Sequence, residues 1–169
     1  GTIILHELGF TAPETFEVLV DVNGVKSIML FQENAEKEML ERNKRREGPI
    51  FEGDESLSWS SKGREYKYDE ISLSRMVNKK WFSLSTSSES IALASYNKIQ
   101  SAYLELTDRF SGRISKNDMI FPNNKRSTNF QDFAFLMFVM NGTHALIPHN
   151  RKYYYNSFLQ SFEPIYYDG

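Results

Sequence analysis

The sequence predicts an α+β domain whose strands pair with their neighbours in the chain rather than through βαβ crossovers. Two apolar runs, Phe16 to Val22 and Val25 to Gln32, are split by Asn23-Gly24. A long stretch of helical periodicity and the apolar run Phe133 to Met140 follow. A last pair of strands, Lys152 to Asn156 and Phe162 to Tyr167, comes just before Asp168-Gly169.

A chain of 169 residues with 40% apolar content can enclose one core, so a single domain is expected over 1–169. Its 20 basic and 22 acidic residues give no basic excess of the kind that marks a nucleic-acid or membrane-surface binder. With no cysteine, disulfides, thiolate metal sites and cysteine nucleophiles are excluded. No apolar run reaches the ~18 residues of a membrane span. An apolar helix face is already in progress at Ile3-Ile4-Leu5, and Pro164 to Tyr167 reads as a buried strand at the other end. The expectation is a domain truncated at both ends.

Thr2 to Leu8 reads as the tail of a helix, ended by Gly9 in the left-handed position, and Pro13 blocks a return to helix. Phe16, Val18, Val20 and Val22 share one strand face, and Asn-Gly between two apolar runs is a strong hairpin signal. Ala35 to Asn43 is a short charged helix. Lys44-Arg45-Arg46 behind it either complements the helix dipole or meets a phosphate or acidic substrate. Pro49-Ile50-Phe51 is extended, and Gly53 to Glu70 is a polar, serine-rich loop anchored by Trp59. Thr86-Ser-Ser-Glu89 is a capping box for a helix over about 88–110, with Ile91, Ser95, Ile99, Ala102, Leu106 and Phe110 on one face. Ser111-Gly112 stops it, and 113–128 is a polar connector. Thr128 with Gln131 makes a second capping box. Phe133 to Met140, apolar all round, predicts a helix buried on every side.

Between that helix and the tyrosine-rich strand lies His144-Ala-Leu-Ile-Pro-His149-Asn150-Arg151. Pairing of the last two strands could bring Asn150 and Asp168 to one end of a sheet, although they lie 18 positions apart. A carboxylate and an amide oxygen are hard ligands suited to Mg²⁺, which bridges phosphate oxygens in phosphoryl transfer. The same residues also read as ordinary loop and turn chemistry. Imidazole as a side-chain type titrates near neutrality, so His144 and His149 could serve as a base or as hydrogen-bonded structural residues. Arg151 could pair with a phosphate or with Asp168.

Several linked segments carry a resemblance. They are His6-Glu7-Leu8-Gly9-Phe10 with Ala12-Pro13, Val22-Asn23-Gly24, Gln32-Glu33, and Lys37 to Glu41 leading into Asn43-Lys44-Arg45-Arg46-Glu47-Gly48-Pro49-Ile50. At the other end they are His144 to Tyr154 and Pro164-Ile165-Tyr166-Tyr167-Asp168-Gly169. Over roughly the first third and the last sixth, the chain resembles the CotH (spore coat protein H-like) family of atypical protein kinases. The resemblance implies a partial kinase-like fold. Residues 1–55 would be a β-hairpin lobe and hinge, 56–128 a variable helical part, and 129–169 a core helix, catalytic-like loop and metal-site hairpin. It implies ATP- and Mg²⁺-dependent phosphotransfer to a protein substrate, such as a coat or envelope protein, with Mn²⁺ as a substitute metal. Asn150 and Asp168 would hold the metal, and Gln32-Glu33 would lie at the hinge beside the nucleotide. The sequence departs from the pattern in two ways: the phosphate-gripping segment expected before the first hairpin is missing, and Ala145 stands where a kinase loop has its base aspartate. His144 or His149 would then be the base, or the domain would be a pseudokinase serving as an interaction module. Transfer of another group, such as AMP, is the third reading.

Overall fold

Asn23 and Gly24, with φ of 54° and 83°, form the two-residue turn that the Asn-Gly pair predicts. The computed structural model describes residues 1–56, 73–108 and 127–167. The expectations for most of the Gly53 to Glu70 loop, for the side chains of Leu106 and Phe110, for Ser111-Gly112, for the connector through 126, and for Asp168-Gly169 lie outside what is described. Strand β1 (Thr15–Val22) pairs antiparallel with β2 (Val25–Gln32), in a register that puts Val22 opposite Val25. The Asp21 carboxylate accepts the Gly24 amide at 2.9 Å and closes the turn. Phe16 and Phe31, paired across the strands, stack with ring centroids 4.8 Å apart. This two-stranded sheet carries apolar side chains on both faces, and Leu19 and Ile28 are each 71% exposed.

Ahead of it, α1 (Thr2–Glu7) ends at Gly9, whose φ of 81° is the left-handed conformation expected there. Behind it, α2 (Lys37–Arg42) leads to Lys44, also left-handed at φ 55°. The basic run after α2 is not simply a solvated helix end. Arg45 donates to Glu163 at 2.6 Å and to the Gly9 carbonyl at 3.0 Å, so it ties three distant segments together.

The second sheet has the order β4-β3-β5-β6, antiparallel throughout, from β3 (Ile50–Gly53), β4 (Ser74–Met76), β5 (Lys152–Asn156) and β6 (Ser161–Ile165). The β5–β6 hairpin is the one the sequence predicts. Its union with β3 and β4 depends on pairing across the chain, such as Glu52 opposite Lys152, which no local pattern signals. The period-2 alternation then sorts side chains to two covered faces. Phe51, Tyr153, Tyr155 and Phe162 pack against Ile99, Ala102 and Tyr103 of α4 (Thr86–Asp108). Ile50, Tyr154 and Ile165 pack against Met39 and Leu40 of α2 on the other. Each such fully buried aliphatic side chain contributes about 1.5–3 kcal/mol.

A four-residue helix, α3 (Lys79–Phe82), connects β4 to α4. Just before it, buried Asn78 accepts the Ile50 amide and donates to the Gly48 carbonyl, both at 2.8 Å, and so fixes the entry to β3. The first turn of α4 is capped one residue earlier than Thr86-x-x-Glu89 predicts. The Ser85 hydroxyl accepts the Ser88 amide at 3.1 Å, and Thr86 is already helical.

The helix containing Phe133 to Met140 corrects the sequence reading. In α5 (Ser127–Val139), Phe133 and Met137, one turn apart, are buried with Leu5, Ala12 and Ala145. Phe135 and Phe138 are 67% and 74% exposed, and Val139 also faces outward. A helix turns about 100° per residue, so 135 and 138 point away from a layer that packs on 133 and 137. Apolar composition all round did not produce burial all round. No described helix is long and apolar enough to cross a membrane. The α+β class is thus as expected: two antiparallel sheets and five α-helices among the described residues.

Candidate functional site

The loop between α5 and β5 is held by its own backbone. Gly142 N–H bonds back to the Met137 carbonyl at 2.8 Å, ending α5 beside left-handed Asn141. A 3₁₀ turn over Thr143–Leu146 buries Ala145 against α1 and α5 and leaves His144 exposed. The Ile147 carbonyl accepts the amides of Asn150 at 2.9 Å and Arg151 at 3.1 Å, folding 147–151 into a tight bend. Tyr103, fully buried in α4, donates its hydroxyl to the Pro148 carbonyl at 2.9 Å. Burial raises the Tyr103 pKa well above its usual value, with neighbouring Tyr153 adding to the effect, so the phenol stays a donor.

This bend brings His144 and Asn150 together. The Asn150 side-chain amide nitrogen lies 3.1 Å from His144 Nδ1 and 3.4 Å from the His144 carbonyl. An amide –NH₂ can only donate, so this contact requires the tautomer in which Nδ1 is the acceptor. The lone pair a base would use is therefore already engaged by Asn150. His144 orients the amide, and the Asn150 oxygen, on the other arm of the same carboxamide, is the atom left to meet a hard cation. The donor type fits Mg²⁺. His149 is half-buried in the bend, and Arg151 donates Nε to the Leu146 carbonyl.

The β5–β6 register pairs Lys152 with Ile165. Asn150, two residues before Lys152, and Tyr167, two residues after Ile165, therefore belong to the same end of the hairpin. Asp168, the other metal ligand implied by resemblance, lies outside the described residues. Among the described residues, no three His, Asp or Glu side chains gather as a metal-holding group.

Gln32 and Glu33 lie elsewhere, where β2 runs into the turn before α2. Gln32 pairs with Thr15, and the Glu33 carboxylate accepts the Glu14 amide at 3.1 Å and pairs with Arg42. Arg42 also reaches Glu14 at 3.3 Å, and its pKa rises, chiefly through the hydrogen bond to Glu33. A cavity of about 330 Å³ opens beside them, lined by Glu14, Phe16, Phe31, Glu33, Glu36 and Arg42 among others. It shares no lining residue with the smaller cavity that Arg151 and Lys152 border with Phe133, Ala145 and Ile165. The described sequence-predicted residues thus form two groups, and within the second the His144 and Asn150 side chains are in direct contact.

Sequence reasoning missed a set of charges beside the loop. Glu52 and Lys152, opposite each other on β3 and β5, form a buried ion pair. Arg75 of β4 joins Glu52 at 2.6 Å. The Lys152 ammonium also sits 4.1 Å from the centroid of the Tyr167 ring. A signal was available in the sequence: Glu52 and Lys152 are the charged members of otherwise apolar, aromatic strands, where a charge needs a partner.

Compared with known proteins, the chain matches no protein-family model, and no match was found among curated proteins.

Proposed function

We propose that the chain is the nucleotide- and metal-binding part of an ATP- and Mg²⁺-dependent phosphotransferase that acts on proteins, in the manner of the CotH kinases it resembles. The observation that carries this reading is the hairpin register. With Lys152 opposite Ile165, the Asn150 and Tyr167 limbs lie at one end of β5–β6, and Asp168 follows Tyr167 in sequence. A metal ligand from each limb is what an Mg²⁺ site bridging ATP phosphates requires. The contact of Asn150 with His144 supports it further, because it presents the amide oxygen as ligand. In this reading Mg²⁺ neutralises phosphate charge when bound, Asn150 supplies one oxygen, and His144 holds that oxygen in place. The protein substrate is a coat or envelope protein, and the cavity beside Glu33 and the Phe16–Phe31 pair is the nucleotide's apolar neighbour.

A second reading, a pseudokinase serving as an interaction module, is favoured by Ala145. It is 2% exposed and packed among Leu5, Phe133 and Met137, so the place of the base aspartate holds a buried methyl group and no carboxylate.

A thermal-shift titration with ATP and Mg²⁺, on the wild type beside Asp168→Ala, tests the proposal. At a hundredfold excess over its dissociation constant, a ligand that binds only the folded form stabilises it by about 2.7 kcal/mol. The expected result is a metal-dependent shift that Asp168→Ala abolishes, followed by transfer of label from γ-labelled ATP. Label from α-labelled ATP instead would mean adenylyl transfer. Binding without transfer supports the pseudokinase, and no shift at all removes the nucleotide site.

A further inference from the structure

We infer that the uncharged face of the β1–β2 hairpin is the contact surface of a two-fold dimer of this chain, with two hairpins stacked face to face and pointing in opposite directions. The dimer does not depend on the phosphotransfer proposed above. The register pairs Phe16 with Phe31, Val18 with Met29 and Val22 with Val25, so these side chains share one face. Glu17, Asp21 and Lys26, every charge of the two strands, lie on the other. The uncharged face is open: Phe16, Val22, Val25, Met29 and Phe31 are 46–70% exposed. β1 and β2 pack on no other described element to an extent comparable with their own pairing. A two-stranded sheet by itself is marginally stable in water, and a layer packed on its apolar face makes it firm.

A second copy of the hairpin fits as that layer. The face has no charge and Ser27 as its one polar side chain, so two identical faces meet without opposed or stranded ions. A charged partner would find no counter-ion there. Sheet faces also stack on each other in aligned packing, about 10 Å apart. The half-exposed side chains leave roughly 500 Å² of apolar surface per copy, within the range of functional patches. Two copies then reach the threshold of about 1,000 Å² for a specific interface. Charge decides the direction. At the base of the hairpin, the carboxylates of Glu14, Glu33, Glu36 and Glu38 gather around one guanidinium, that of Arg42. Stacking base on base would set these carboxylates against the same group of the other copy, a like-charge opposition. Stacking base on turn avoids it, because the turn end holds Asp21 opposite Lys26 in register and is neutral. The Asn23-Gly24 turn of each copy then comes over the Phe16–Phe31 pair of the other, where the larger cavity opens.

Sedimentation velocity over a range of concentrations tests the dimer on wild type, Met29→Glu and Ile28→Glu, with melting curves to establish that each is folded. Met29 and Ile28 are neighbours on opposite faces, and both are exposed. The wild type is expected to dimerise as its concentration rises. Met29→Glu is expected to weaken association about tenfold or more, by placing a carboxylate in the contact. Ile28→Glu is expected to leave it unchanged. Chemical linking gives a second readout that adds no charge. The chain has no cysteine, so Ser27→Cys and Ile28→Cys each carry one thiol. A short bis-maleimide should join Ser27→Cys chains into dimers and leave Ile28→Cys chains single. Linking of both alike in dilute solution would mean pairing side by side through the backbone and would overturn the stacked faces. Linking of neither, or equal losses in the two glutamate variants, would overturn them too. A wild type that stays monomeric at every concentration overturns the dimer and leaves the face to another kind of partner.

Discussion

Arg45 and Glu163 are 118 positions apart and meet at 2.6 Å, joining the segment after α2 to the central residue of β6. Glu163 is buried and also accepts the Asn156 side chain at 2.9 Å, so its charge is satisfied from two sides. Arg45→Met would remove the only cation of that set and leave a carboxylate in the sheet. Because Arg45 is partly exposed, water can replace some of what is lost. A loss of about 2–3 kcal/mol in urea unfolding is expected, below the 3–5 kcal/mol of a fully enclosed pair. A change under 0.5 kcal/mol would mean that the contact is an ordinary surface ion pair.

Gly48 is required by space and not by backbone conformation. A Cβ there would lie 2.9 Å from the Tyr154 ring and 3.0 Å from the Tyr155 carbonyl. Both neighbours are fixed in the sheet, and Asn78 holds the Gly48 carbonyl. Gly48→Ala should therefore destabilise the protein by about 1–3 kcal/mol, the usual cost of overpacking. Thermal melting would show it as a lower midpoint, whereas Gly24→Ala, with nothing within 4 Å, is strained only by its φ of 83°.

Glu52 carries the balance of charge inside the β4-β3-β5 part of the sheet. Glu52→Gln keeps the shape but leaves Lys152 buried without its anion, and Arg75 keeps only an uncharged amide oxygen as acceptor. A cost of about 3–5 kcal/mol is expected. The double variant Glu52→Gln/Lys152→Met should recover part of that loss, and a double-mutant cycle reads the coupling directly. Strict additivity of the two changes would rule out a direct interaction.

What the sequence revealed and what it hid follow from the range of the interactions. Asn23-Gly24 announced the first hairpin because an I′ turn is determined by two residues. The β5–β6 hairpin was also visible, as two aromatic runs close together. The β3–β5 pairing was not, because Phe51 and Tyr153 are distant in the chain and each strand is only four or five residues long. Periodicity correctly placed Ser95, Ile99 and Ala102 on the buried face of α4. It failed for α5, where composition shows hydrophobicity but not how many layers will cover it. In the site, His144 and Asn150 were both named from sequence, yet their direct contact requires the bend at Ile147, made of backbone bonds that side-chain identity does not signal.

The tyrosines make stability fall at alkaline pH. Burial pushes the Tyr154 hydroxyl up to about 12, with Glu163 adding to the rise and Arg45 and Arg46 opposing it. Its unfolded value is about 10, so the native state holds the proton more tightly. The resulting stability is fully present below pH 10 and is lost as pH rises through 12. Tyr103 shifts in the same direction. Melting midpoints measured from pH 8 upward should drop steeply beyond 10, and Tyr154→Phe should flatten the drop. An unchanged slope in that variant would assign the alkaline sensitivity elsewhere.

The β1–β2 hairpin has a consequence for the behaviour of the chain in concentrated solution. Among the described residues no third strand extends its ladder, so both outer margins present rows of amide and carbonyl groups. Val25 to Gln32 contains neither proline nor glycine, and Lys26 is its only charge, so the usual deterrents to edge-to-edge stacking are nearly absent. Colloidal stability will therefore depend on this stretch more than on the net charge of −2, and crowding should drive the chains to assemble through it.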